Sequence, residues 1–499
     1  MEIQLEKTTC HYLRQLKWES QAQEQTQELR LPDGMPDIGN VLGAWGQVLI
    51  RGKEWYGSQV GVSGGVMCWV MYAPEDGSRP QMVEAWLPFQ MKWDIPDSGR
   101  DGTVCVRANL RHVDGRNTSA RKLMVRATAE VLAQIWVPDQ AEISMAAQLP
   151  PDIEILKNEY PMELPMEAGE KTFEIDESLR FPASVPEPDS LICYQLQPEV
   201  IEHKLLGDKA VFRGMCILHL LYRSEQGQLH TWDFEIPFSQ YSELDRTYDS
   251  DGQVRIVPAI AGLELDREEN GGYRLKASVI CQYLVSQRSV IQVVEDVYSP
   301  RRPVTIKTEM LQLPAILWER AQTIQANQVV QTDNRQIADV TFCPTTPRTI
   351  RTGDQTRLEM GGRFQLMCQQ PGENPEGFHV SWEDSQNLDI SDDVLLNVSI
   401  FSSGLPGAAF GPDGVQLHGD LTLELLGLMQ EGIPMVVALE AGEVAAPDPN
   451  RPSLILRKAG EDSLWTLAKK CGSTIDAIRK ANALDGEPAS DRILLIPVS

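Results

Sequence analysis

The sequence predicts a mainly β protein, built from tandem β-rich repeats and followed by a small β-α-α-β unit. Three observations predict this. A block of sequence recurs at a constant offset of 150 residues, the recurring segments carry strand-like patterning, and the last 47 residues change to a helical period.

The first copy opens with "ELRLPDGMPDIGNVL" from Glu28 and the second with "SLRFPASVPEPDSLI" from Ser178. Leu29, Arg30, Pro32 and Pro36 fall on Leu179, Arg180, Pro182 and Pro186. Downstream, Gly64, Tyr72 and Gly77 fall on Gly214, Tyr222 and Gly227, and Pro88-Phe89 meets Pro237-Phe238. A fainter third copy centres on "MGGRFQLMCQQPGE", where Gly362 takes the place of Gly214 but the opening prolines and the Pro-Phe step are gone.

These segments read as strands. In the third copy Phe364, Leu366 and Cys368 alternate with Arg363, Gln365 and Gln369, the period of two that buries one face of a sheet. In the first two copies both parities are apolar, as in a sandwiched strand. Cys68, Cys216 and Cys368 share the parity of the aligned glycine and are expected on one buried face. Further strands are "TVCVRANLRHV", "KLMVRATAEVLAQIWV", "YRLKASVICQYLVSQ" and "GVQLHGDLTLELLGL", with turns at "DSDG" and "ENGG".

Composition narrows the function classes. The chain has 499 residues and a net charge of -26, without basic runs interleaved with aromatics, so a phosphate backbone is repelled and no nucleic acid partner is expected. No segment reaches the apolar length of a membrane span, and the opening "MEIQLEKTTCHYLRQLKWES" lacks an apolar core after basic residues. A cytoplasmic location follows as the expectation. Nine cysteines without a CxxC pair are expected as reduced, mostly buried thiols.

Chemical motifs are sparse. "GVSGG", Gly61 to Gly65, matches the GxSxG nucleophile elbow, but that motif needs a helix after the Ser, and here a strand follows. The positions aligned with Ser63 are Arg213 and Gly361. His11, His112, His203, His219, His230, His379 and His418 show no metal spacing. Asp245, Asp249 and Asp251 before Gly252 lack the closing Glu of a calcium loop. No catalytic residue, metal or cofactor is expected, and the chain is read as a non-enzyme.

After the Pro-rich stretch "VAAPDPNRPS", a separate unit begins, with net charge +1 against -27 for the rest. Leu464, Leu467, Ala468 and Cys471 lie on one face of a short helix, capped by Asp462 or Ser463 and ended by Gly472. "STID" offers a capping box from Ser473 to Asp476 for a second helix running to about Asn482, and "SLILRK" and "RILLIP" flank the pair as strands. The linker gives no apolar face to join this unit to the body, so independent folding is expected.

The LPxxxP opening, the Gly leading a strand that ends in Tyr, and the later Pro-Phe resemble the SPOCS repeat family of endospore-forming bacteria, over roughly residues 1 to 440. The tail, with Gly460, Asp462, Ser463, Leu464, Trp465, Ala468, Gly472, Ile478, Asn482 and Ile496-Pro497, resembles a LysM domain. The domains implied are SPOCS-like repeats at 1–145, 146–305 and 306–443, a linker at 444–452 and LysM at 453–499. The resemblance implies a non-catalytic spore-coat morphogenesis scaffold in the mother-cell cytoplasm, tethering the coat to the forespore surface. Its LysM groove is implied to comprise Gly460, Glu461, Asp462, Ser463, Leu464, Trp465, Asp485, Asp491, Arg492 and Ile493. The implied ligand is a coat basement-layer ATPase, another coat protein or an N-acetylglucosamine-containing glycan. The family's usual Pro-Gly-Gln reads Ser490-Asp491-Arg492 here, which removes a glycine from the second groove loop and favours a protein partner, with Trp465 either an aromatic anchor or a cover for the small core. The alternative is a peptidoglycan- or chitin-type glycan-binding cell-wall protein or cell-wall hydrolase accessory.

Overall fold

The computed structural model describes residues 2–96, 101–269, 271–332, 335–352, 355–370, 372–391, 393–446 and 451–498. Residues 447–450 of the Pro-rich connector and Asn270 of the "ENGG" turn lie outside them. The described chain is mainly β, with two short helices near its C-terminal end.

Strands β1 (Leu5–Arg30), β2 (Ile38–Tyr56), β3 (Gln59–Pro74), β4 (Gln81–Asp94), β5 (Thr103–Ser119) and β6 (Lys122–Ala147) make two sheets, ordered β1-β6-β5 and β2-β3-β4. Strands β7 (Glu154–Leu179), β8 (Pro188–Leu206), β9 (Lys209–Ser224), β10 (Leu229–Glu243), β11 (Gln253–Arg267) and β12 (Tyr273–Tyr298) pair as β7-β12-β11 and β8-β9-β10. Next come β13 (Val304–Leu311), β14 (Ile316–Val330), β15 (Gln336–Thr352), β16 (Gln355–Gln369) and β17 (Glu376–Leu388). They are followed by β18 (Val394–Ser402), β19 (Gly407–Gly411), β20 (Gly414–Met429) and β21 (Ile433–Ala441). These pair as β14-β20-β18 and β15-β16-β17, with β13 on β21. Pro314, between β13 and β14, has no N–H to give a ladder, and it lies where the long strand is interrupted.

The long strand pairs carry β-bulges at matching places. Leu16 is the extra residue between Gln15 and Lys17, Met166 between Pro165 and Glu167, and Leu317 between Ile316 and Trp318. A second set falls at Met145, Glu295 and Val437.

The residues singled out by the sequence have local reasons. Gly64 faces Phe89 across β3–β4 and Gly214 faces Phe238 across β9–β10, each with the ring lying over the glycine. Gly362 faces Trp382, so the third group keeps an aromatic where Pro-Phe is missing. The hydroxyl of Tyr72 donates to the Pro36 carbonyl and that of Tyr222 to the Pro186 carbonyl, both at 3.0 Å. Cys68, Cys216 and Cys368 are fully buried, and burial pushes the Cys68 thiol up to about 12.

The three strand groups close on one another. Tyr12 and Ile143, Met162 and Ile291, and Leu311 and Met435 meet in one apolar cluster. The amide of Ile3 donates to the carbonyl of Leu439 at 3.0 Å, joining the start of the first group to the end of the third.

The tail is β22 (Leu454–Lys458), α1 (Leu464–Cys471), α2 (Ile475–Asn482) and β23 (Ile493–Pro497), with β22 antiparallel to β23. Ser463 caps α1, and Gly472 ends it at φ +64°. Thr474, not Ser473, caps α2: its hydroxyl accepts from the Ala477 amide, while the Ser473 hydroxyl is buried with no hydrogen-bond partner among the described residues. The tail also packs against the body, through α1 and through the connector, where the Ala445 amide donates to the Arg301 carbonyl at 2.8 Å and Arg451 to the Pro300 carbonyl at 3.3 Å. The Trp465 ring packs edge-on against Tyr298 of β12 with centroids 4.7 Å apart, and its Nε1 donates to Asp296 at 2.8 Å. Lys469 pairs with the same carboxylate at 2.7 Å, and the Tyr298 hydroxyl donates to the Ser473 carbonyl at 3.1 Å.

Candidate functional site

The tail brings together the two loops expected to form a groove. The amide of Ala459 donates to the Arg492 carbonyl at 2.8 Å and that of Gly460 to the Ser490 carbonyl at 2.9 Å. Glu487 reaches across to accept from the Leu464 amide, and Asp462 is held by Lys470 and Arg457. Gly460 has φ +62° with open space around it, a backbone position suited to glycine. Glu461, Ser463, Asp485, Asp491, Arg492 and Ile493 are exposed around this junction. Arg492 is braced by donating to the Asn482 carbonyl at 2.7 Å.

Two of the expected groove residues face elsewhere. Leu464 is fully buried among Leu467, Ala468 and Ile478, because it starts the apolar face of α1. Trp465 is 7% exposed and turned into the body, so it is not an aromatic anchor for an external partner.

A feature the sequence reading missed lies on the outer face of the two-stranded sheet. Leu454, Leu456, Ile493 and Leu495 are exposed there, while Leu494 and Ile496 fill the core. The signal was present: "LILRK" and "ILLIP" are apolar on both parities, yet the unit covers one face of its sheet with helices.

The second candidate is a cavity of about 830 Å³ between the three strand groups, lined from β2, β5, β8, β11, β15 and β20. On its wall, Glu424 of β20 accepts from Arg107 of β5 at 3.2 Å, from Arg255 of β11, and from Ser399 at 2.9 Å. Burial opposes the charge on Glu424, but the Arg255 and Arg107 guanidinium groups outweigh it and hold the carboxyl at about 2. At another part of the wall, His219 lies between Asp233 at 2.6 Å and Asp339 at 2.9 Å, and Trp45 Nε1 donates to Asp339 at 3.1 Å. Burial disfavours the imidazolium, but its hydrogen bonds to Asp233 and Asp339 prevail and raise it to about 10. Charged residues within the apolar strands "TVCVRANLRHV" and "LTLELLGL" marked this cavity, but a sequence cannot show that they converge.

Ser63 lies inside β3, paired with Gly52 and Gln90, with no turn at the position. Among the described residues, no group of three or more His, Cys, Asp or Glu is placed to hold a metal, and no helix is long and apolar enough to cross a membrane. No known protein family, curated protein or solved structure matches the chain.

Proposed function

We propose that the chain is a non-catalytic scaffold of three SPOCS-like units carrying a C-terminal LysM-like unit, and that it tethers the coat to the forespore in a sporulating mother cell. The matching bulges at Leu16, Met166 and Leu317 support reading the body as three copies of one unit. The observation that carries the docking role is the junction of the Gly460 and Ser490 loops, tied backbone to backbone at 2.9 Å. The exposed Leu454, Leu456, Ile493 and Leu495 beside it favour a coat protein, such as a basement-layer ATPase, over a glycan as the ligand. The glycan-binding cell-wall alternative rests on the same loops and gains nothing from that apolar face.

The test is localisation of a fluorescent fusion in a sporulating host, with Leu456→Asp and Arg492→Ala variants. Both variants are expected to weaken forespore-surface localisation with the tail still folded. Micromolar chitooligosaccharide binding with no coat protein recovered by pull-down would restore the glycan reading.

A further inference from the structure

We propose that the seam between the first and third strand groups is an acid-sensitive latch, in which the β16–β17 hairpin lifts from β5 when His112 and His379 gain protons. The latch is distinct from the tail loops and does not depend on the scaffold reading.

The direction of one hydrogen bond fixes a protonation state. Nη1 of Arg363 on β16 lies 2.7 Å from Nδ1 of His112 on β5. A guanidinium carries donors and no acceptor, so Nδ1 offers its lone pair and the imidazole is neutral. A proton arriving at Nδ1 removes that bond and sets two cations in its place. His379 of β17 meets the same imidazole edge-on, with ring centroids 5.9 Å apart. Two imidazoles and a guanidinium therefore share one seam.

The surrounding charges do little to absorb added protons. His112 is faced by Arg363 of β16, His379 of β17, Arg126 of β6 and Asp114 of its own strand, and His379 by Arg363 and Asp114. Asp114 is the one carboxylate among them, and Arg116 at 3.0 Å and Arg126 at 3.4 Å already engage it. Burial first, and then the Arg363 charge, lower both imidazoles below the ordinary 6.5 against the pull of Asp114. Their contribution to the seam is complete above pH 6.5 and is lost as pH falls through their lowered values.

Packing turns that loss into movement. On the same face of β16 as Arg363, Gln365 donates to the Ala44 carbonyl at 2.6 Å, and the Met367 methyl lies where a Cβ on Gly43 would stand. On β17, a Cβ at Gly377 would lie 2.8 Å from the Leu42 carbonyl oxygen. The hairpin rides close on β2 as well as on β5, so charged rings have no slack to part within the closed seam. The device belongs to this seam and not to the repeat. Arg111 is the bulge residue before His112, and after the matching bulge in the second group stands Gly262.

Met367 supplies the readout, being 1% exposed with its methyl on the seam. Its oxidation by dilute hydrogen peroxide, followed by peptide mass spectrometry on the full chain, is compared near pH 7 and near pH 5. The expected result is about tenfold faster oxidation at the lower pH, the equivalent of one charge-assisted hydrogen bond, while Met435, buried away from the seam, holds its rate. In the His112→Gln/His379→Gln double variant the acceleration should be absent, because glutamine accepts from Arg363 and does not titrate. Should that variant not fold, Arg363→Gln serves instead: it still donates to the neutral ring and sets no cation against a charged one, so the acceleration should again be lost. The proposal is overturned by an unchanged Met367 rate in the unaltered chain, by an equal acceleration at Met435, or by an acceleration that survives in either folded variant.

Discussion

The Nε2 of His219 lies 2.9 Å from Oδ1 of Asp339, so a side chain on β9 of the second strand group is clasped by one on β15 of the third. Trp45 of the first group donates to the other oxygen of the same carboxylate. This one buried aspartate therefore joins all three groups, with the imidazolium supplying the charge that it needs.

The clasp predicts a pH dependence. The folded-state value of His219, about 10, stands above its ordinary 6.5. Its contribution to stability is therefore complete below pH 6.5 and declines as pH rises through about 10. His219→Asn should cost about 3 kcal/mol near pH 6 and flatten stability across that alkaline window. Chemical denaturation of both proteins at intervals from neutral to alkaline pH checks it; parallel curves would refute the assignment.

The glycines opposite aromatic rings predict a steric cost. A Cβ on Gly64 would lie 2.2 Å from the Leu49 carbonyl oxygen, and one on Gly214 would lie 2.0 Å from that of Glu199. Gly64→Ala and Gly214→Ala should each destabilise by about 2–3 kcal/mol. Gly34→Ala, at a turn with nothing within 4 Å, is the control and should be neutral. Equal melting temperatures for all three would show the close approach to be unimportant.

Docking of the tail predicts a shared stability. Asp296→Ala removes the acceptor of both Trp465 Nε1 and Lys469 while leaving the tail's own core intact. Amide exchange across Leu464–Cys471 should accelerate by roughly tenfold, the equivalent of about 1.4 kcal/mol. Unchanged protection would mean that the tail is stable without its seat on β12.

The end of α2 predicts a gain. Ala483 is the non-glycine residue with positive φ among the described residues, at +49°. A left-handed L-residue costs roughly 1 kcal/mol, which glycine at this position avoids. Ala483→Gly should raise the tail's unfolding free energy by about that amount, read by exchange of the Ile478 amide; a loss would refute it.

Local structure was more legible than assembly. The strand character of "GGRFQLMCQQ", the caps at Ser463 and Gly472, and the importance of Gly64 and Tyr72 follow from periodicity and backbone chemistry, which act over a few residues. Of the two roles open to Trp465, anchor or core cover, the second holds, but the Tyr298 ring that completes the packing lies 167 residues earlier in the chain, beyond any local pattern. Ser473 was misassigned by one residue because Thr474 offers the same hydroxyl chemistry from a better place. Arg107, Arg255 and Glu424 each look like an isolated charge in an apolar strand, and their meaning lies in a meeting point that no local pattern encodes.

The amide of Ile3 waits for the carbonyl of Leu439, and that pairing sets a schedule on the ribosome. Tyr12 and Ile143 emerge early, but the cluster that covers them is completed by Ile433 and Met435. Roughly 300 residues must be translated in between, about 15 to 60 s at ordinary elongation rates. Met162, Leu164 and Ile291 of the second group join the cluster earlier, but the side closed by Leu311, Ile433 and Met435 stays open until the third group is made. A truncated chain ending before β21 keeps that side exposed permanently, so premature termination yields a sticky fragment and not a smaller working protein.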